Sequence, residues 1–242
     1  MFQQTTDDVN NILSYIRKRA DYPYLEQHFQ VPQSTLTEVL VTYEIVQQQP
    51  SVEKRSQIMC ATLLIKQALD IHEAVSEGTL ATEAIRKERQ LAVLAGDYYS
   101  GLYYRELAKL ANEDLLAIFS QAIGDINQVR ANYYEQLPQT KGDLGQLMVT
   151  ESLIHTSLAG YFGFTQQQQT IYQWALALAR LKQRPTRLID TQIEQRQSLI
   201  ETLVAKLATA LKQAEEGTVS VQLKTHLNNL IDPNSKGETV KL

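Results

Sequence analysis

The sequence predicts an all-α protein, a large antiparallel helical bundle, and three observations carry that prediction. Apolar residues recur at three- and four-residue intervals through nearly every segment, the spacing of one face of an α-helix. Only ten glycines and six prolines occur in 242 residues, too few turn-formers for a fold of many strands and hairpins. Several periodic runs are long and the segments between them short, which favours antiparallel helices over a superhelical repeat array. No repeat of roughly 20–50 residues is visible, and no linker-like stretch divides the chain. One helical domain over 1–242 is therefore expected, with N-terminal helices in 1–50, a central bundle in 51–182 and C-terminal helices in 187–231.

The elements follow in order. Val9, Ile12, Leu13 and Ile16 form the first stripe, with Asp7 and Asp8 expected in the first turn, where the helix dipole favours acids. Pro23 and Pro32 punctuate the next stretch. Thr35 with Glu38 three residues on predicts a capping box for a helix to about Gln47. Pro50 and Ser51 introduce a long helix through Ser76 whose face carries Ile58, Ala61, Leu64, Ile65, Ala68 and Leu69; Glu77, Gly78 and Thr79 form its stop. A second long helix spans Thr82 to Ala111. Asn112 caps the next, with Glu113 and Asp114 in its first turn, and that helix ends before Pro138. A helix from Asp143 to Tyr161 closes on Gly163, and one from Gln167 to Lys182 stops before Pro185. The run from Leu188 to Ala214 ends at Gly217, and a short helix from Val219 to Ile231 is the last.

Composition excludes several functions. The 23 basic and 27 acidic residues are interspersed, for a net charge of −4, so there is no electrostatic footprint for nucleic acid. No run reaches the roughly 18 apolar residues of a transmembrane helix. The opening MFQQTTDDVNN is polar and acidic, unlike a secretory leader, and a cytoplasmic protein is expected. A single cysteine, Cys60, precludes an internal disulfide and a multi-cysteine zinc site, and reads as a small buried hydrophobe. His28, His155 and His226 stand apart, without HxxxH or Glu-x-x-His spacing, so no metal or di-iron site is expected. Ser100 and Ser152 lack a nucleophile-elbow context, and no glycine loop cradles phosphate. Trp174 reads as core. The glutamine runs 47–49 and 166–169 fall at helix boundaries and read as solvated surface.

The most informative segment is Leu91 to Tyr104, LAVLAGDYYSGLYY. Gly96 and Gly101 lie inside a helix although each costs about 0.8–1.0 kcal/mol against alanine there. Such glycines suggest close approach by another helix or a ligand. Asp97, in an otherwise apolar stretch, needs a partner or water; a tight helix crossing and a ligand site both satisfy this. Upstream, Asp70, Glu73 and Glu77 share one helical face that could hold Mg²⁺ if a diphosphate supplied further oxygens. A solvated acidic helix end has the same spacing. His72 is rotated about 100° from Glu73 and lies off that face.

These two segments resemble the front half of the all-trans polyprenyl diphosphate synthases, in which an apolar helix ends in a DDxxD motif and the next carries a signature like AVLxGDxLxxxA. Ala92-Val93-Leu94-Ala95-Gly96-Asp97-Tyr98 matches that signature, whereas Ala68-Leu69-Asp70-Ile71-His72-Glu73 stands where the paired aspartates would be. The run RQLAVLAGDYYSGLYY from Arg89 to Tyr104, with the preceding ALDIHEAV, is similar to the small, non-catalytic component of bacterial two-component heptaprenyl or hexaprenyl diphosphate synthases. Met148 to Leu153 with Gly160 to Gly163 resembles the helix that bears a KTxxL-like motif in the active enzymes. The likeness is diffuse over 5–215 and sharp between 68 and 104.

The resemblance implies the isoprenoid-synthase helical bundle and a catalytic partner subunit bearing both aspartate motifs and the Mg²⁺. It implies no metal or catalytic residue in this chain: the one adjacent aspartate pair, Asp7 and Asp8, is at the wrong end, and Tyr172 to Arg180, where the second motif belongs, contains no acid. A metal clamp supplies several kcal/mol to such a transition state, so the isolated chain is expected to be inactive and its complex to make the menaquinone side chain. By analogy, the helix from Thr82 to Ala111 docks the partner, with Gly96, Asp97, Tyr98, Tyr99, Gly101, Tyr103 and Tyr104 as interface or tunnel residues. Tyr99 and Tyr103, at i and i+4, share a face and are the first pair to test. The free chain could self-associate through the same surface. Two other readings remain compatible with the residues. One is a self-sufficient prenyltransferase or terpene-synthase-like enzyme with Asp70, Glu73 and Asp97 as metal ligands; the other is a helical adaptor unrelated to isoprenoids.

Overall fold

In the computed structural model, residues 2–75, 82–136, 144–183, 193–232, 234–235 and 238–240 are described. Among them the secondary structure is helical apart from two extended segments of two residues each, β1 (Ser34–Thr35) and β2 (Thr239–Val240). The helices are α1 (Phe2–Ala20), α2 (Pro23–His28), α3 (Leu36–Val46), α4 (Val52–Ala74), α5 (Glu83–Leu110), α6 (Glu113–Gln136), α7 (Leu144–Tyr161), α8 (Gln166–Gln183), α9 (Ile193–Gln213) and α10 (Val221–Leu230). Asp143, Pro138, Pro185, residues 187–192 and the stop at Glu77 to Thr79 lie outside the described residues.

The helix signals in the sequence act as expected at most ends. Thr35 and Glu38 form both halves of the capping box, at 3.0 and 2.6 Å. Ser51 caps α4 and Thr82 caps α5. Gly163, at φ 78°, closes α7 in a Schellman turn, in which its N–H donates to Gly160 O and that of Phe164 to Ala159 O. Asp7 and Asp8 are a correction: α1 already begins at Phe2, so neither lies in the first turn.

The chain divides into two compact units, and the division is not sequential. The first comprises Met1–Ser34, Gln49–Asn112 and Val240–Leu242; the second comprises Thr35–Gln48 and Glu113–Thr239. In the first unit α4 and α5 pack along each other, α1 lies against both, and α2 rests on α5. Every residue of α4 from Gln57 to Ile71 is buried. Its polar groups must therefore be matched locally. Thr62 Oγ1 donates to Ile58 O at 2.8 Å, Gln67 Nε2 to Pro32 O at 2.8 Å, and Lys66 Nζ to Asp70 Oδ1 at 2.5 Å. Cys60 is fully buried here, and burial, then the nearby charge of Glu106, pushes its thiol up to about 12.

Glu106 fastens α1 to α5. Its side chain has no accessible surface, and it accepts from Tyr15 Oη at 2.9 Å, Arg19 Nε at 3.2 Å and Lys109 Nζ at 2.6 Å. Arg19 also lies over the Tyr15 ring, 3.3 Å from its centroid. Burial pushes the Glu106 carboxyl up, but the bonds from Lys109 and Tyr15 and the charges of Lys109 and Arg19 outweigh it and hold it below the usual range.

In the second unit α7 packs on α6 and α8, and α8 also meets α9, α3 and α10. Arg180 and Glu151 form a buried ion pair at 3.5 Å between α8 and α7. Lys182 caps the end of α10, donating to Leu230 O at 2.7 Å and Asp232 O at 2.6 Å. The Leu36 N–H donates to Glu238 O at 2.9 Å, and His226 Nε2 is 2.9 Å from Thr37 Oγ1. Trp174 is half-buried, with Lys206 Nζ 5.5 Å from its ring, rather than a core residue.

Glu106→Gln is expected to lower the unfolding free energy near neutral pH by about 1–3 kcal/mol in urea denaturation. Because the folded carboxyl is depressed below its unfolded value, this stabilisation is complete above the unfolded pKa and lost as pH falls through the folded one. The gap between wild type and variant therefore closes in acid.

Candidate functional site

The sequence-predicted site residues fall on α4 and α5, and the two helices treat them differently. Asp70 is buried and held by Lys66 one helical turn earlier. Glu73 is also buried. His72 points the other way, onto α5. Its imidazole fills the notch left by Gly96: a Cβ placed there would come within 2.4–2.7 Å of the ring atoms. His72 Nε2 then lies 3.9 Å from Asp97 Oδ1, with both side chains partly exposed. The glycine is thus explained by close approach of a neighbouring helix, and Asp97 has its polar neighbour.

Gly101 is different. A Cβ added there would meet nothing within 4 Å among the described residues, so none of them makes the close approach that the sequence suggests. Alternation of burial along α5 shows why. Leu91, Ala92, Ala95, Gly96, Tyr99, Leu102, Tyr103, Glu106, Leu107 and Leu110 face inward. Leu94, Asp97, Gly101, Tyr104 and Ala108 face outward at successive spacings of 3, 4, 3 and 4 residues. Leu94 is 61% exposed and Tyr104 is 48% exposed.

The tyrosines divide between these faces. Tyr99 and Tyr103, the pair singled out from the sequence as interface residues, are each 5% exposed and belong to the core of the first unit. Burial raises the Tyr103 phenol well above its ordinary value, with a hydrogen bond to Tyr104 adding to it. Tyr98 is half-buried, its ring 5.3 Å from that of Tyr22 and 5.7 Å from that of Tyr99. Tyr104 is exposed, its ring 4.4 Å from that of Tyr103 and tilted by 37°. Sequence reasoning missed Leu94 as a surface residue and Lys66 as the neutralising partner of Asp70. The heptad-like spacing of the first and the i, i+4 spacing of the second were the available signals.

The described acids do not assemble into a metal cage. Asp70 is spent on Lys66, Asp97 is on the opposite helix beside His72, and among the described residues no three His, Cys, Asp or Glu side chains converge. On α8, the buried face between Ile171 and Leu181 is apolar except for Tyr172 and Arg180. The described acids of α4 and α5 do not supply the several convergent carboxylates that a cluster of Mg²⁺ ions on a diphosphate needs.

A profile of the family described as "Heptaprenyl diphosphate synthase (HEPPP synthase) subunit 1" matches residues 22–233. The chain belongs to that family. Heptaprenyl diphosphate synthase component 1 of Geobacillus stearothermophilus is 36% identical over 119 residues, 48% of this chain and 51% of that protein. The match spans about half the relative's length. Among solved structures, heptaprenyl diphosphate synthase from Staphylococcus aureus superposes with a TM-score of 0.66 at 11% identity, covering 96% of this chain and 99% of that one. A decaprenyl diphosphate synthase from Rhodobacter capsulatus gives 0.62 at 12% identity, covering 95% and 96%. These likenesses show the fold: this member of the subunit 1 family has the all-α architecture of the isoprenyl diphosphate synthases. No helix among the described residues is long and apolar enough to cross a membrane.

The two glycines of α5 in this family member give opposite outcomes in urea denaturation. Gly101→Ala is expected to stabilise the chain by about 0.5–1 kcal/mol, because helix propensity improves and nothing is displaced. Gly96→Ala yields less, since the methyl group evicts the His72 ring, and adding His72→Ala to it restores the gain.

Proposed function

We propose that this chain is the non-catalytic, regulatory subunit of a heterodimeric long-chain polyprenyl diphosphate synthase. Its partner would be a DDxxD-bearing catalytic subunit that holds Mg²⁺ and condenses isopentenyl diphosphate onto an allylic diphosphate for the menaquinone side chain. Membership of the subunit 1 family and the name of the Geobacillus stearothermophilus relative support a role within such an enzyme. The observation that carries the non-catalytic reading is the Lys66–Asp70 pair. At the end of α4, where the resemblance would place metal-binding aspartates, the carboxylate is already neutralised by an ammonium 2.5 Å away. Departure of diphosphate requires several kcal/mol of charge stabilisation, for which no convergent group of acids stands among the described residues.

The outward stripe of α5 is the face we assign to the catalytic partner. Leu94, Asp97, Gly101, Tyr104 and Ala108 follow the spacing of a helix-pairing seam. Gly101 carries the helix penalty of glycine without any close neighbour to its missing side chain among the described residues. A partner helix crossing there gains the close approach that offsets this penalty. Exposed Leu94 and Tyr104 flank the crossing and supply apolar and aromatic contact area.

Two measurements test this reading. The purified chain with farnesyl and isopentenyl diphosphates and Mg²⁺ is expected to show no turnover, and adding the catalytic subunit is expected to start synthesis; turnover by the chain alone would overturn the assignment. Gly101→Trp and Leu94→Asp are expected to weaken co-purification and product formation at least tenfold while leaving the melting temperature near that of wild type. Tyr99→Ala with Tyr103→Ala should instead cost about 3 kcal/mol or more of folding stability.

A further inference from the structure

A strip of basic and aromatic side chains crosses the first unit on either side of α2. At one end a cavity of about 530 Å³ is lined by Arg17, Lys18, Asp21 and Tyr22, with Leu25 and Phe29 as apolar wall. At the other a cavity of about 500 Å³ is lined by His28, Lys87, Glu88 and Arg89. A ridge of rings joins the two. Tyr22 and Tyr24 are 45% and 47% exposed with centroids 6.5 Å apart, and Tyr24 lies 4.5 Å from His28. Tyr98 of α5 backs the ridge at 5.3 Å from Tyr22.

The charge of this strip opposes that of the whole. Four cationic side chains, Arg17, Lys18, Lys87 and Arg89, line the two cavities against two acids, Asp21 and Glu88, on a chain of net charge −4. Arg17, Lys18 and Lys87 are exposed. Arg17 and Lys18 line one cavity and Lys87 the other, so they are not gathered in one pocket as they would be to hold a single small anion. A dispersed cationic rim around half-exposed tyrosines suits an extended negative surface that is apolar just beneath, because tyrosine rings settle at the level of lipid headgroups. The outward stripe of α5 is a separate set of residues, mainly apolar and small, so the two surfaces differ in chemistry.

We propose that this strip docks the protein on an anionic lipid bilayer, with Arg17, Lys18 and Lys87 against the headgroups and Tyr22 and Tyr24 at the interface. The inference stands apart from the assignment of the catalytic partner, since neither the α5 stripe nor the Lys66–Asp70 pair enters it. Each cation near such a surface contributes about fivefold to binding, and the attraction fades with salt.

The test is co-sedimentation of the full chain with vesicles of phosphatidylcholine alone and with about one-third phosphatidylglycerol. At low salt, binding to the anionic vesicles is expected to exceed that to neutral ones at least tenfold and to fall when salt is raised. Lys18→Glu with Lys87→Glu should abolish that excess. Tyr22→Ser with Tyr24→Ser should reduce it several-fold at unchanged charge, with circular dichroism confirming the fold of both variants. Equal or absent binding of wild type to the two vesicle types overturns the proposal without recourse to any variant. So does retention of anionic binding by a folded charge variant. Loss of catalytic-subunit binding in the charge variant, with no vesicle binding by wild type, would assign the strip to a protein contact instead.

Discussion

A carboxylate inside a helix that is buried on every side has to be neutralised where it stands, and the rest of this structure follows from how α4 meets that demand. From Gln57 to Ile71 no residue of α4 is exposed. Desolvation of an unpaired Asp70 would cost several kcal/mol. Lys66 removes that cost with a 2.5 Å contact inside the same helix, at the i, i+4 spacing that brings two side chains onto one face. The solution is local and self-contained. It stabilises α4 as a packing element, and the same pair carries the non-catalytic role we propose for the chain.

The helix packed on α4 shows a second division of labour. The inner face of α5 is built for its own chain: Gly96 admits the His72 ring, Tyr99 and Tyr103 fill the core, and Glu106 ties in α1 through Tyr15 and Arg19. Its outer face carries an open Gly101 between exposed Leu94 and Tyr104. The inward positions of the segment from Leu91 to Tyr104 thus serve packing within the first unit, and the outward positions are those we assign to a partner.

Much of the fold was legible in the sequence because it is written in local signals. The capping box at Thr35 and Glu38, the caps at Ser51 and Thr82, and the turn at Gly163 depend on neighbours within a few residues. The grouping of α3 with α6–α10, rather than with its sequence neighbours, was not legible, since it is decided by long-range packing. At the site, periodicity located α5 and its glycines but could not tell which face is inward. Aromatic residues occur on both, so the sequence groups Tyr99, Gly101 and Tyr103 together as interface or tunnel candidates, whereas packing buries the two tyrosines and leaves Gly101 exposed. The start of α1 was misplaced for a related reason: Phe2 to Thr6 carry no strong apolar stripe, and Asp7 and Asp8 looked like a first turn.

We propose that the Lys66–Asp70 pair at the end of α4 competes with any metal–diphosphate complex there. Isothermal titration of the isolated chain with a non-hydrolysable farnesyl diphosphate analogue, with and without Mg²⁺, tests it most directly. The account predicts no Mg²⁺-dependent binding in the micromolar range. Mg²⁺-dependent micromolar binding that is abolished by Asp70→Asn would contradict it.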